Sequence, residues 1–306
     1  MNTLFEAQVI AAFGRHLLLR DAQGREIKAR PFGRRLSVVC GDEVRCETDA
    51  KHDEVHVVEV LKRRTALYRS NVRAGSEPIV ANLSRLFIVL APRPEPDLFV
   101  VDRYISAAAS ASINALLIVN KAELGLSDEL RAELKAYARA GYDSIECSVK
   151  SGLAIDRLLQ SCAGETAALV GQSGVGKSSL VGRLVPNADV ETGELMRGDE
   201  EGRHTTTASR MFDLPGGGHL IDSPGVRDFA PALDCLEPTT LGFMEVAKLA
   251  PHCRFDDCKH LREPGCAVIA AAGNGELHAR RYESYRRLRR LCDELTDARG
   301  PGRRGG

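Results

Sequence analysis

The first sixty residues alternate apolar and polar positions over short runs, "EAQVIAAF", "HLLLRD", "EIKAR", "LSVVCGDEVRC" and "EVHVVEVL", divided by Gly24, by Pro31 to Gly33 and by Gly41. A period of two marks strands with one buried face, and five such runs in so short a stretch predict a small closed β-barrel. A barrel of the oligonucleotide/oligosaccharide-binding (OB) type is the leading form, with an SH3-like barrel as the alternative. After "LKRRTALYRS" the texture changes. The buried-type runs "LFIVLA" (Leu86 to Ala91), "ALLIVN" (Ala115 to Asn120), "SIECSV", "AALVG" and "HLIDS" alternate with helical stretches, the pattern of βα units around a mostly parallel sheet. Asp97 and Ser127 stand as N-caps before "LFVVDRYISAAAS" and the amphipathic "DELRAELKAYARA". Beyond "SPGVRDF" the chain becomes short-segmented, Cys-containing and finally Arg-rich, and the closing "ARGPGRRGG" is expected to be disordered. The pattern predicts a multidomain α/β protein: an OB-type barrel over residues 1–64, a parallel-sheet domain over 65–228, and a helical domain with a basic tail over 229–306.

Length and composition change this picture little. A chain of 306 residues with 43% hydrophobic content can bury two or three cores. Lys plus Arg equals Asp plus Glu, 42 against 42, so no overall attraction to a polyanion is expected and only local clusters matter. In the barrel, Arg15, Arg20, Arg25, Arg30, Arg34 and Arg35 are interleaved with acids; an RNA-contacting face and a merely solvated one both fit. No apolar run is long enough for a bilayer, and Glu6 interrupts any signal-peptide profile, so a cytoplasmic protein without a membrane is expected. Nine cysteines, an odd number scattered along a medium-length chain, suggest a metal site and not a secreted disulfide framework.

The chemistry begins at "ALVGQSGVGKSSLVGRL", where Gly171, Gly176, Lys177 and Ser178 satisfy G-x-x-x-x-G-K-[ST] between a strand and a helix that stops before Pro186. Such a loop turns its N–H groups toward phosphates; Lys177 neutralises the outer ones and the Ser178 hydroxyl ligates Mg²⁺. This alone does not separate GTPases from ATPases or small-molecule kinases. Upstream, "LLIVNKAE" places Asn120, Lys121 and Glu123 at the end of a buried-type strand, resembling the NKxD guanine motif of Ras-like GTPases. There a carboxylate accepts from guanine N1–H and the exocyclic amine, while the Lys stem covers the base. Glu123 keeps both acceptor oxygens and moves them out by one methylene, so guanine specificity is expected to survive, with its sharpness over ATP reduced at most. Ser148 and Lys150 in "CSVKSG" resemble the loop whose backbone touches the guanine oxygen. Downstream, "LIDSPG" supplies Asp222 and Gly225 of a D-x-x-G element, the Asp holding Mg²⁺ through water and the Gly N–H meeting the γ-phosphate.

Between them "GRHTTT" supplies Thr205, Thr206 and Thr207 where switch I belongs, with Thr206 favoured as a Mg²⁺ ligand. Val226 stands where Ras-like enzymes carry a water-orienting Gln, which leaves His204 as the local candidate for that task. The catalytic set is therefore Lys177, Thr206 and His204. Base reader, second guanine loop, phosphate loop, switch I and D-x-x-G follow in an order that is the Ras-type order cut and rejoined, a circular permutation. A sheet held by packing and hydrogen bonds tolerates such a cut. The segment after D-x-x-G then runs into a different domain, which makes switch II a linker that nucleotide state can reposition.

In "PHCRFDDCKHLREPGC", Cys253, Cys258, His260 and Cys266 form a Cys₃His set spaced C-x₄-C-x-H-x₅-C. Three thiolates and one imidazole suit one tetrahedral, structural Zn²⁺ with no open position. His252 is the less favoured neighbour. Next, "HARRYESYRRLRRLCDEL" reads as an amphipathic helix with Arg280, Arg281, Arg286, Arg287, Arg289 and Arg290 around an apolar stripe. Contact with an RNA backbone and a solvated face docked by its stripe are the two readings.

With the permuted order, the barrel in front and the Cys₃His module behind, the chain resembles the ribosome small-subunit-dependent GTPase A family over nearly its whole length, most specifically in "GRHTTT", "LIDSPGVRDF" and the cysteine spacing. The resemblance implies an OB domain, a permuted GTPase domain and a zinc domain acting late in small-subunit maturation, with GTP hydrolysis stimulated by that subunit and contact with its rRNA. It carries guanine reading to Asn120, Lys121 and Glu123, and phosphate and Mg²⁺ binding to Gly171, Gln172, Ser173, Gly174, Val175, Gly176, Lys177, Ser178 and Ser179. Zinc binding goes to Cys253, Cys258, His260 and Cys266. A monomer is expected. An ATPase and an RNA-binding scaffold with a weak nucleotide site are the alternatives; "NKAE" opposes the first, and Lys177, Ser178 and Asp222 the second.

Overall fold

The computed structural model describes residues 3–33, 36–49, 54–71, 75–185, 209–227 and 229–299. Strands β1 (Leu4–Phe13), β2 (His16–Asp21), β3 (Glu26–Pro31), β4 (Glu43–Asp49) and β5 (Glu54–Val60) pair in the order β1-β2-β3-β5-β4 and close through β1 with β4. Only β3 and β5 run parallel. Alternation does what it predicts: Val9, Leu19, Val44, Cys46 and Val57 fill the interior with no exposed surface. The run "LSVVCGDEVRC" is not one strand, however. Pairing starts at Glu43, because Asp42 is fully buried in the middle of the run and must be given donors. A turn supplies the Val39 N–H at 2.9 Å, and Arg63 adds a fork at 2.7 and 2.9 Å.

A hairpin that the sequence pattern did not signal, β6 (Ala66–Asn71) with β7 (Gly75–Ala81), leads from the barrel to the central sheet. That sheet contains β8 (Arg85–Leu90), β9 (Asn114–Val119), β10 (Ser144–Glu146), β11 (Thr166–Val170), β12 (Ser209–Asp213) and β13 (His219–Asp222). The order is β10-β9-β8-β11-β13, all parallel, with β12 antiparallel beside β13. Along β8, Leu86, Ile88 and Leu90 enter one core while Phe87 and Val89 enter another, so both faces are covered, as the continuous apolar runs require.

The barrel joins this sheet directly. Strand β12 pairs with β1 at Ala11↔Arg210 and Ala12↔Ser209. A bulge between Val9 and Ala11 breaks the alternation, so Val9 stays inside the barrel while Ile10 and Ala11 point into the core of the central domain. Arg20 of β2 grips Asp213 of β12 with both guanidinium nitrogens, at 2.8 and 3.0 Å.

Helices α1 (Leu98–Ser110), α2 (Asp128–Ala140), α3 (Ile155–Gln160) and α4 (Lys177–Leu184) pack on the sheet. Both expected caps form: Asp97 accepts from the N–H groups of Phe99 and Val100, and Ser127 Oγ from that of Leu130. The chain continues through a single turn, α5 (Pro224–Arg227), to α6 (Met244–Leu249), α7 (Ala267–Asn274) and the long α8 (Ala279–Arg299).

Helix α8 corrects the reading of its arginines as one solvent-facing basic surface. Arg281 is 1% exposed, ion-paired at 2.6 Å with both Asp102 and Glu245 and boxed by Tyr137, Tyr142 and Phe243. Arg280 also reaches Asp102 and Glu133, and buried Arg289 donates to the carbonyls of Pro238 and Thr239. The helix docks by charge as well as by its apolar stripe; Arg287 and Arg290 are the arginines of the set left exposed. Among the described residues no helix is long and apolar enough to cross a membrane.

Candidate functional site

The motif residues gather where the carboxyl ends of β8, β9, β10, β11 and β13 meet, the edge at which open parallel sheets bind ligands. The loop from β11 to α4 is folded by close backbone approach. A Cβ at Gly171 would fall on the Val89 carbonyl, and Gly176, with φ +96°, would put one onto Asn120 Nδ2. Val175 is buried, and Gln172, Ser173, Gly174, Ser178 and Ser179 line the open side. Lys177 Nζ lies across the loop, donating to the carbonyls of Gly171 at 2.5 Å and Gln172 at 2.8 Å.

The base-reading motif locks onto this loop. Asn120 Nδ2 donates to the Val175 carbonyl at 3.0 Å, while its Oδ1 accepts from the Val149 N–H at 3.4 Å, tying three loops through one buried amide. Lys121, in the left-handed region at φ +60°, extends over the phosphate loop to the Gly174 carbonyl at 2.5 Å and the Arg93 carbonyl at 3.1 Å. Glu123 is exposed, and a hydrogen bond from Ser148, then Lys150 and Lys121 nearby, holds its carboxyl below the usual range. All the members of the expected base pocket are therefore brought together.

Asp222 ends β13, and Gly225 lies in the α5 turn beside it. Val226 is 1% exposed and packed in the core, so it cannot reach solvent at the site. Thr205, Thr206, Thr207 and His204 lie outside the described residues. Two features escaped the sequence reading. Residues 92–97 cover the phosphate loop, with the Asp97 N–H bonded to Gln172 Oε1 at 2.9 Å. Arg227 crosses from α5 to Asp222, Nε to Oδ1 at 2.7 Å and Nη2 to Oδ2, and its Nη1 donates to Ser178 Oγ at 2.9 Å. The available signal for Arg227 is its place five residues after Asp222, one beyond Val226 in "LIDSPGVRDF". Because the Ser178 and Asp222 oxygens already converge on one cation, they suit a hard divalent ion.

The cysteine cluster is assembled as its spacing predicts. One ligand atom each from Cys253, Cys258, His260 and Cys266 lie within 4.8 Å of one another. Cys253 Sγ is 3.4 Å from His260 Nδ1 and 3.7 Å from Cys266 Sγ, and Cys266 Sγ is 3.5 Å from the same nitrogen. Tetrahedral zinc with ordinary bond lengths places such ligands about 3.6–3.8 Å apart. Burial lowers the His260 pKa, which keeps the imidazole in its ligating form. Tyr282 and Tyr285 of α8 donate to the carbonyls of His260 and Lys259 at 2.8 and 3.0 Å, so the cluster is tied to the docked helix.

Comparison with known proteins identifies the family. The family model described as RsgA GTPase matches residues 60–231. A protein of Pseudomonas aeruginosa strain LESB58, named small ribosomal subunit biogenesis GTPase RsgA, is 43% identical over 286 residues, covering 92% of this chain and 84% of its own. A Pseudomonas putida protein of the same name is 40% identical over 289 residues, covering 92% and 83%. Among solved structures, YjeQ from Thermotoga maritima aligns with a TM-score of 0.70 at 25% identity, covering 99% of this chain and all of that one. YloQ, described as a circularly permuted GTPase, aligns at 0.72 with 23% identity over 96% of each, a likeness of fold. The chain is a GTP hydrolase and belongs to the RsgA GTPase family.

Proposed function

We propose that this protein hydrolyses GTP to GDP and phosphate during late maturation of the small ribosomal subunit, that the subunit stimulates the reaction, and that the protein contacts its rRNA. The names of the relatives support the ribosomal assignment. The observation that carries guanine-nucleotide chemistry at this site is the bridge made by Asn120 between the base-reading, phosphate and second guanine loops. Asn120, Lys121, Glu123, Ser148 and Lys150 form the base pocket. Gly171 to Ser179 cradle the phosphates, Lys177 turning its ammonium from loop carbonyls to phosphate oxygens, and Gly225 offers its N–H to the γ-phosphate. Ser178, Asp222 and Thr206 hold magnesium, which when bound offsets the phosphate charge. With Val226 buried, His204 orients water.

Cys253, Cys258, His260 and Cys266 hold one structural zinc. Residues 1–64, 65–228 and 229–306 act as barrel, GTPase and zinc-binding units of a cytoplasmic monomer. Exposed Lys28 and Arg30 of β3, beside an exposed Phe32 whose ring sits 6.1 Å from that of His56, give the barrel an RNA-facing character that inward-turned Arg281 and Arg289 lack. The test is GTP turnover with and without purified small ribosomal subunits. Acceleration by the subunit is expected, and an unchanged rate would remove the ribosomal part of the reading.

A further inference from the structure

The residue that the function above does not use is Arg227. From α5 its guanidinium occupies both oxygens of Asp222 on β13 and the hydroxyl of Ser178 on α4 at once. The side chains of Arg227 and Asp222 are only 26% and 20% exposed, so water screens the pair little. A guanidinium carries a permanent charge and offers only donors. A metal cation drawn to the same oxygens must compete with it. We propose that Arg227 is a resident rival of magnesium: it competes for Ser178 and Asp222 and thereby raises the magnesium concentration at which guanine nucleotide is retained. This rests on Ser178 and Asp222 being the magnesium ligands, as set out above.

The same residue is wired in two further directions. Its carbonyl accepts from the N–H of Gly171, the first residue of the phosphate loop, at 3.3 Å. Two residues later Phe229 is buried against Tyr104, with ring centres 5.5 Å apart, and Pro231 bridges to Arg69 of β6. Arg227 thus stands between the phosphate loop, which its carbonyl holds, and the start of the C-terminal region, where Phe229 and Pro231 are seated. Arg227 is a positioning residue, acting through the ligands it holds.

The test is the dissociation rate of a fluorescent GDP analogue from the full chain, measured across a magnesium titration for the native protein, Arg227→Ala and Arg227→Lys. Half-maximal retention is expected at a magnesium concentration about fivefold or more lower in Arg227→Ala. Arg227→Lys, which keeps the charge but loses the fork, falls between. The unloaded Arg227→Ala protein should also melt below the native one, because Asp222 and Ser178 lose their partner. An unchanged or higher magnesium requirement in either variant overturns the proposal; should Arg227→Ala not fold, the lysine variant decides. If the native protein binds no GDP analogue at any magnesium concentration, it is the nucleotide-site reading that fails, a result that cannot be mistaken for the first.

Discussion

At Lys177 one ammonium serves two carbonyl oxygens of its own loop, and at Asn120 one amide serves two other loops, so each side chain is held by groups a substitution would strand. Lys177→Ala is expected to lower kcat/KM for GTP by about 10²-fold or more, read from steady-state phosphate release, because a preplaced charge at the phosphates is lost. Glu123 titrates in the sense set by its depressed pKa. Ser148 and the two lysines hold its carboxyl ionised below the ordinary glutamate range, so the part of GDP affinity that depends on this carboxylate should persist as pH falls toward that range and drop only below it. Calorimetric titrations should show Ser148→Ala moving the drop to higher pH; no movement would mean that the hydroxyl does not tune the acid. Motif residues such as these were legible in the sequence because short loops between a strand and a helix encode their own geometry. Arg227 was not, because its partners are distant in sequence and only the fold brings them within reach.

Elements obeyed local rules where the deciding information was local. The barrel strands, apart from the run split at Asp42, the parallel runs and the capped helices α1 and α2 appear where alternation and caps put them. The loop between β11 and α4 shows why glycine is required: Gly176→Ala adds left-handed strain of about 1–2 kcal/mol and drives a methyl into Asn120, costing its hydrogen bond, about 1 kcal/mol more. Denaturant melts should show the destabilisation, and GTP-against-ATP competition should show blunted base selection. Helix α8 marks the limit of such reading. A stretch dense in arginine looks like a solvated face, and nothing near it in sequence announces Asp102 or Glu245. Asp102→Ala leaves Arg281 buried without one of its two carboxylates and is expected to cost about 3–5 kcal/mol in chemical denaturation. A cost under about 1 kcal/mol would show Glu245 to be sufficient alone.

At the scale of the whole molecule, the Cys₃His cluster and the docked helix form one block. Chelation should release one zinc per chain and raise amide exchange through residues 253–274, while GDP affinity stays within about twofold, since among the described residues the cluster is tied by hydrogen bonds to Tyr282 and Tyr285 of α8. A collapse of GDP binding on chelation would instead mean that the two sites stand or fall together. The cluster was legible because spacing and ligand type suffice to name it. The junction of barrel and central sheet was not: it depends on a bulge in β1 and on a two-residue pairing between strands almost two hundred positions apart.

That junction also decides what the sheet can do in company. One margin of the open sheet is β12, and it is taken by β1, whose own row of hydrogen bonds then passes around a closed ring. The opposite margin is β10, three residues long. A flat, unpaired border is where like chains zip together into aggregates, and among the described residues the β12 border is met at Ser209 and Arg210 by a strand of the closed barrel and at Asp213 by Arg20. Among the described residues the permuted sheet therefore shows no long bare margin: one is engaged by the barrel, and the other ends after three residues.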